Sequence, residues 1–318
     1  MRSEPDKVEK VAVIGAGTIG SSWATQFLAK GLEVTVYDPM SDAETRVRTF
    51  VENAWPTLER LGLDDRADPT KLRFFSDPGD AVADVPFVQE SGPENLQAKR
   101  DLYAKLEPKL PPATVVASST SGFMPSELQA GRVGPERYLV GHPFNPPHLI
   151  PLVEVVGGKS TDPAAVDWTV AFYDHLGKKT IKIDREVPGH VANRMQVALY
   201  REAIHLVLEG VASPSAVDDA IAYGPGLRWA ILGPHALHEL AGGQGGMRHQ
   251  LEHLGPGISA WWADLGKPEI TSETIEKLVA AYQEDQPRPF SQLVAERDIL
   301  LIELLNALKR ARGEIAGS

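Results

Sequence analysis

The stretch Val11-Ala-Val-Ile-Gly15-Ala16-Gly17-Thr18-Ile19-Gly20 limits what this chain can fold into more than any other. An apolar run breaks into glycines spaced G-x-G-x-x-G, a helical pattern follows to about Lys30, and Gly31 fits a helix stop. A second apolar strand, Glu33-Val-Thr-Val-Tyr-Asp38, completes a strand–helix–strand unit that ends in an acid. The glycine spacing is a weak signal alone, but in this context it is a dinucleotide-binding fingerprint. Gly15 permits the tight turn, Gly17 lets a pyrophosphate approach the backbone, and Gly20 allows the helix to pack on the strand. Unpaired N–H groups at the helix start favour phosphate. Asp38 is placed to accept hydrogen bonds from the adenosine ribose and to repel a 2′-phosphate, so NAD is expected rather than NADP. The plain alternative is a glycine turn with Asp38 as a cap.

Further short apolar strands are expected at Val85–Gln89, Thr114–Ser118, Tyr138–His142 and Leu152–Val156, with helices or loops between most of them. That alternation implies a Rossmann-type, doubly wound, mainly parallel sheet. The last two strands lie too close for a helical crossover and should pair antiparallel, as an edge extension. After Val187 the pattern turns helical, opening at Pro188-Gly189 and running to about Glu209 with Val191, Met195, Leu199 and Leu206 on one face. Ser213-Pro214 reads as an N-cap with proline at the first helical position. An apolar helix from about Pro289 to Arg310 closes the chain. The expectation is an α/β protein with a nucleotide-binding domain at 1–187 and an all-helical domain at 188–318.

The net charge of −11 disfavours nucleic acid, whose phosphates need a basic surface, and mildly suits a cationic ligand. Cysteine is absent, which excludes disulfides, thiolate metal sites and a cysteine nucleophile. No metal site is expected. The charged N-terminal segment is no signal peptide and no run is long enough to span a bilayer, so a cytoplasmic protein without membrane contact is expected.

Four downstream segments carry chemistry: Ser118-Ser119-Thr-Ser121-Gly, Gly141-His142-Pro-Phe144-Asn145-Pro, Leu152-Val-Glu154-Val and Gly189-His-Val-Ala-Asn193-Arg. Oxidising a secondary alcohol needs a base for the hydroxyl proton, and histidine suits neutral pH. Glu154, twelve residues after His142 on the adjacent strand, could fix the imidazole tautomer and stabilise the imidazolium. Ser121 and Asn193 could hold the reacting oxygen. Singly, each has an ordinary structural reading: a strand-end histidine, a serine cap, an asparagine bonded to local backbone.

Together, and in this order, these motifs resemble the 3-hydroxyacyl-CoA dehydrogenase superfamily along nearly the whole chain. The resemblance implies an oxidoreductase with a nucleotide-binding N-terminal domain and a helical C-terminal domain that forms a homodimer. It implies that His142 is the catalytic histidine, Glu154 its partner, and Ser121 and Asn193 the substrate-oxygen ligands. Glu94, Asn95 and Lys99 match the segment lining the nicotinamide side of the cofactor, and Asn145 falls on a cofactor contact. Ser119 stands where the family usually carries asparagine.

The segment Gly224-Pro-Gly226-Leu-Arg228-Trp229 differs from the form usual in the acyl-CoA enzymes. Arg228 could clamp a free carboxylate in bidentate fashion, or serve as an ion-pair partner between domains. The Gly-x-Arg-aromatic feature is similar to that of L-gulonate 3-dehydrogenase and of lambda-crystallin, a structural relative. The stretch Leu240-Ala-Gly-Gly-Gln-Gly-Gly-Met-Arg-His249, with Trp261-Trp262, is similar to enzymes acting on L-carnitine, which makes that small molecule the expected substrate. Its trimethylammonium group needs aromatic faces, each worth roughly 0.5–2 kcal/mol. Trp229, Phe144, Tyr223, Trp261 and Trp262 are candidates, with core packing as their alternative. Another free 3-hydroxy acid, a 3-hydroxyacyl-CoA and a non-catalytic NAD-binding role stay open at this point.

Overall fold

The computed structural model describes residues 3–317, with side chains to 315. Two compact units emerge. One runs to Asn193 and takes back Leu301–Asn306; the other holds Arg194–Leu300 and the chain from Ala307 onward.

The first unit is built on eight strands: β1 (Lys10–Ile14), β2 (Glu33–Tyr37), β3 (Leu72–Phe74), β4 (Phe87–Glu90), β5 (Val115–Ser118), β6 (Tyr138–Pro143), β7 (Leu152–Gly157) and β8 (Lys179–Ile183). Six helices connect most of them: α1 (Thr18–Ala29), α2 (Ala43–Leu61), α3 (Pro78–Val82), α4 (Leu96–Leu106), α5 (Pro125–Gln129) and α6 (Pro163–His175). The sheet order is β3-β2-β1-β4-β5-β6-β7-β8, and every neighbour pair is parallel except β6–β7. The antiparallel pairing expected from the short β6–β7 connection is therefore present. It is not an edge, however: β8 continues the sheet beyond β7 through a parallel ladder from Leu152–Lys179 to Val156–Ile183.

Burial on both faces explains why the central strands read as continuous apolar runs rather than alternating ones. Side chains along a strand point to opposite faces. Val11 and Val13 of β1 pack with Trp23 and Phe27 of α1, and with Phe172 of α6, on one side. Ala12 and Ile14 pack with Tyr103 and Leu106 of α4 on the other. Chain direction across the sheet reverses between β1, which leads to β2 and β3, and β4, which leads the other way. Ligands of such sheets bind at the carboxyl ends of the strands flanking that switch point, here Ile14–Gly15 and Glu90–Ser91.

The second unit is helical throughout: α7 (Ala192–Leu208), α8 (Pro214–Ala222), α9 (Pro225–Trp229), α10 (Pro234–Ala241), α11 (Gly246–Asp264), α12 (Ser272–Asp285) and α13 (Phe290–Gly317). Ser213 caps α8 through the Ala216 amide with Pro214 inside the first turn, as its sequence implies. The apolar stripe leading into α7 does not form a closed core: Val191, Met195 and Leu199 are 45, 60 and 37 % exposed. No helix among the described residues is long and apolar enough to cross a membrane.

Candidate active site

The glycine loop leaves β1 at the switch point. Gly15 has φ of 96°, a conformation that strains any side-chain-bearing residue, and a Cβ there would lie 2.6 Å from the Ser91 and Gly92 backbone. A Cβ on Gly20 would strike the Gly15 carbonyl oxygen at 1.8 Å, so helix and loop touch directly. A Cβ on Gly17 would meet nothing within 4 Å; that face is open. Gly17 is also the N-cap of α1 and offers no side-chain acceptor to the Thr18, Ile19 and Gly20 turn. Tight packing at Gly15 and Gly20, clearance at Gly17 and an uncapped helix start together fit a dinucleotide pyrophosphate.

Asp38 ends the second strand and reaches back to the loop: its Oδ2 accepts from the Ala16 amide at 2.7 Å, and its Oδ1 from the Met40 amide at 2.9 Å. This arrangement is not a helix cap, since the N-cap of α1 is Gly17 and that of α2 is Asp42; it ties the strand end to the glycine loop. It does not compete with ribose binding, since a carboxylate has about four acceptor positions and two remain.

Beyond the carboxyl ends of β4 and β5, Ile19, Ser91, Gly92, Glu94, Lys99, Ser119 and Ser121 line a cavity of about 180 Å3. Glu94 Oε1 accepts from the Thr120 hydroxyl at 2.6 Å and from the Ser121 and Gly122 amides, both at 3.0 Å, which fixes the loop after β5. Ser119 Oγ accepts from Gln89 Nε2 and pairs with Ser91 Oγ, both at 2.8 Å, so it knits the β4 and β5 loops. Asn95 is the N-cap of α4, its side chain accepting from the Ala98 amide.

Lys99 carries more than a cofactor lining. Its ammonium is 2.8 Å from Glu90 Oε1, with both side chains buried, and donates to the Gly92 carbonyl. Glu90 in turn accepts from the Gly92 amide, the Tyr103 hydroxyl and the Ser118 hydroxyl. Burial and the neighbouring Glu90 carboxylate push Tyr103 well above its ordinary value, so it stays a donor. Lys99→Met should cost roughly 3–5 kcal/mol, because it leaves a buried carboxylate without its counter-charge. Chemical denaturation of the variant checks this.

The second cluster sits where β6 and β7 run antiparallel with His142 opposite Glu154. His142 Nδ1 lies 2.8 Å from Glu154 Oε2, and both side chains are buried. Facing a carboxylate, Nδ1 carries the proton and Nε2 keeps its lone pair. Glu154 Oε1 accepts from the Val191 and Ala192 amides at 2.8 and 2.9 Å. Burial alone would raise the Glu154 carboxyl, but the bond from His142 and the two amides outweigh it and hold it below its ordinary value of 4.5. The turn that delivers those amides uses Gly189 at φ 74°, where glycine is the unstrained choice.

Asn193 Nδ2 is 3.4 Å from His142 Nε2, the ring nitrogen that Glu154 does not bind. Phe144 meets the His142 ring edge-on at 6.1 Å. Asn145 follows, joined to Pro146 by a cis peptide. Of the residues read from sequence, His142, Glu154, Asn193 and Phe144 are therefore together, while Ser121 is held by Glu94. Arg228 and Trp229 lie on α9 in the helical unit; Trp229, Tyr223, Trp261 and Trp262 are 44–77 % exposed, so core packing does not account for them.

Sequence reading gave no role to His190, Thr120 or Glu90. The signal for Glu90 was available, as an acid ending the apolar run Pro86-Phe-Val-Gln-Glu90. His190 was inside a quoted motif but its partner was not visible: its Nε2 bonds the Thr120 carbonyl, 70 residues away.

Known proteins give the same picture. Residues 10–187 match the 3-hydroxyacyl-CoA dehydrogenase NAD binding domain, and residues 189–288 its C-terminal domain. An L-carnitine dehydrogenase of Streptomyces coelicolor is 50% identical over 97% of this chain and 97% of its own length. One of Pseudomonas putida is 42% identical over 96% of each. Among solved structures, 5-formyl-3-hydroxy-2-methylpyridine 4-carboxylic acid 5-dehydrogenase, an NAD+-dependent dismutase, superposes with a TM-score of 0.83 at 34% identity, covering 95% of this chain and 99% of that one.

Proposed function

The chain belongs to the 3-hydroxyacyl-CoA dehydrogenase family, and within it we propose that it oxidises the 3-hydroxyl of L-carnitine to 3-dehydrocarnitine with formation of NADH. The observation that carries this reading is the buried His142–Glu154 pair at 2.8 Å, with Nε2 turned to Asn193, in a chain up to 50% identical to L-carnitine dehydrogenases over nearly its whole length.

The glycine loop, α1 and Asp38 hold NAD, which supplies the hydride acceptor. Ser121 and Asn193 hydrogen-bond the substrate hydroxyl and keep its carbon aligned. His142 Nε2 takes the hydroxyl proton. Glu154 keeps Nδ1 protonated beforehand and balances the imidazolium afterwards. Its depressed pKa means it does so as a carboxylate and does not itself take the proton. Arg228 is the proposed partner of the substrate carboxylate, and Trp229 and Phe144 of its trimethylammonium group.

Arg228→Lys keeps the charge but loses the planar fork. It should raise the KM for L-carnitine by about 10-fold or more while the KM for NAD stays unchanged, since a charged hydrogen bond is worth about 1.5–3 kcal/mol. Steady-state kinetics with each substrate varied would check it.

The proposal extends to a cytoplasmic homodimer. Its support is the apolar surface of the helical unit, where Leu240, Trp261 and Trp262 are at least 65 % exposed, as a second copy would bury. Sedimentation equilibrium would report the dimer. The functional test is NADH formation against L-carnitine, D-carnitine, L-gulonate and 3-hydroxybutyryl-CoA. Activity on L-carnitine is expected; activity confined to the thioester would discard the substrate assignment.

A further inference from the structure

His190 is a buried titratable group that the scheme above does not use. Its side chain is 1 % exposed, and its Nδ1 has no hydrogen-bond partner among the described residues. Its Nε2 lies 3.1 Å from the Thr120 carbonyl oxygen. A carbonyl only accepts, so Nε2 carries the proton and Nδ1 keeps a bare lone pair. Its ring sits 5.1 Å from that of His142, centroid to centroid, inclined by 42°. Among the described residues His190 is also the one non-glycine with a left-handed backbone, at φ 52°. Such a conformation persists where the surroundings over-determine it, and it recurs at functional sites.

Three segments bearing the proposed reactive groups meet at this one residue. Its ring grips the loop that continues into Ser121. It lies beside the ring of the base, tilted against it. Its backbone starts the turn whose next two amides bind Glu154 and whose end is Asn193.

We propose that His190 is a positioning residue for the oxidation: its Nε2–H, bonded to the Thr120 carbonyl, ties the loop that continues into Ser121 to the turn that carries Asn193, beside the His142 ring. The inference rests on the functional reading above. The groups around the ring are His142, Glu154 and Glu94. Burial first, and His142 after it, keep His190 below the ordinary imidazole range, against the opposing pull of the Thr120 carbonyl, Glu154 and Glu94. The shift favours the uncharged ring beside His142, the form that does not oppose proton uptake by the base.

Three variants separate the side-chain bond from the backbone turn. In His190→Gln the amide nitrogen reaches the place of Nε2; in His190→Asn it stops at the place of Nδ1; His190→Phe keeps a ring without a donor. The glutamine variant should retain kcat within about threefold, while the asparagine and phenylalanine variants lose about tenfold or more with the KM for NAD unchanged, as expected when a holding group is misplaced. If the phenylalanine variant does not fold, the glutamine–asparagine pair decides. Equal kcat in those two would overturn the proposal, as would a folded phenylalanine variant with wild-type kcat. A second reading needs no turnover: 15N NMR of the intact protein at neutral pH should show His190 as the Nε2–H tautomer. The Nδ1–H tautomer there would overturn the proposal too. Failure of the carnitine assignment would show instead as an inactive wild type with the tautomer signal intact.

Discussion

His142→Ala should bind NAD as tightly as the wild type and oxidise L-carnitine about 10²–10⁴-fold more slowly, the usual contribution of a positioned base. The separation between binding and turnover follows from where the groups lie. The glycine loop, Asp38 and the start of α1 are built from β1, β2 and their connection, whereas His142 stands on β6 and bonds to β7. Alanine removes the base without touching the loop. Isothermal titration with NAD and steady-state assays on one preparation would measure both halves. A loss of NAD affinity equal to the loss of kcat would contradict the division of labour.

The second large effect is expected at Glu154. In Glu154→Gln the side-chain carbonyl should stay on the Val191 and Ala192 amides, turning the NH2 group toward His142 Nδ1. Two donors cannot face each other, so the imidazole must switch its proton to Nε2, the atom that has to accept the hydroxyl proton. The equivalent carboxylate-to-amide exchange in a serine protease triad leaves the wrong tautomer and costs about 10⁴-fold, so a loss of about 10³–10⁴-fold is expected here. The same variant tests the depressed carboxyl. A group whose pKa is lower folded than unfolded adds stability that is complete above its unfolded value of 4.5 and is lost as pH falls through the folded value. The Tm difference between wild type and Glu154→Gln should thus hold from neutral pH down to about 4.5 and shrink below it.

The parts legible in the sequence were those written in local pattern. The β1–α1–β2 unit was visible because strand, glycines, helix and acid follow one another without interruption. The His142–Glu154 pair was visible because a short proline-rich connection brings two adjacent strands face to face in antiparallel register. β3 was not visible, being three residues after a loop. β8 was missed because Lys179 and Lys182 interrupt its apolar residues, and the sheet therefore continues where an edge was expected. Lys99 was read as a cofactor neighbour, yet its nearest partner is Glu90, a carboxylate whose burial depends on the sheet rather than on any motif. His190 lay furthest from reach. Its meaning comes from a carbonyl on another strand's loop and from the neighbouring imidazole of His142, and no spacing along the chain encodes either contact.

The central claim is that hydride leaves the carbinol carbon of L-carnitine while His142 takes the hydroxyl proton. It is tested most directly with L-carnitine carrying deuterium at that carbon, NAD and a single turnover, followed by mass spectrometry of the reduced cofactor. The account predicts deuterium in the NADH formed by the wild type, and almost no NADH from His142→Ala although NAD remains bound. Unlabelled NADH, or labelled NADH at an undiminished rate without His142, would contradict it.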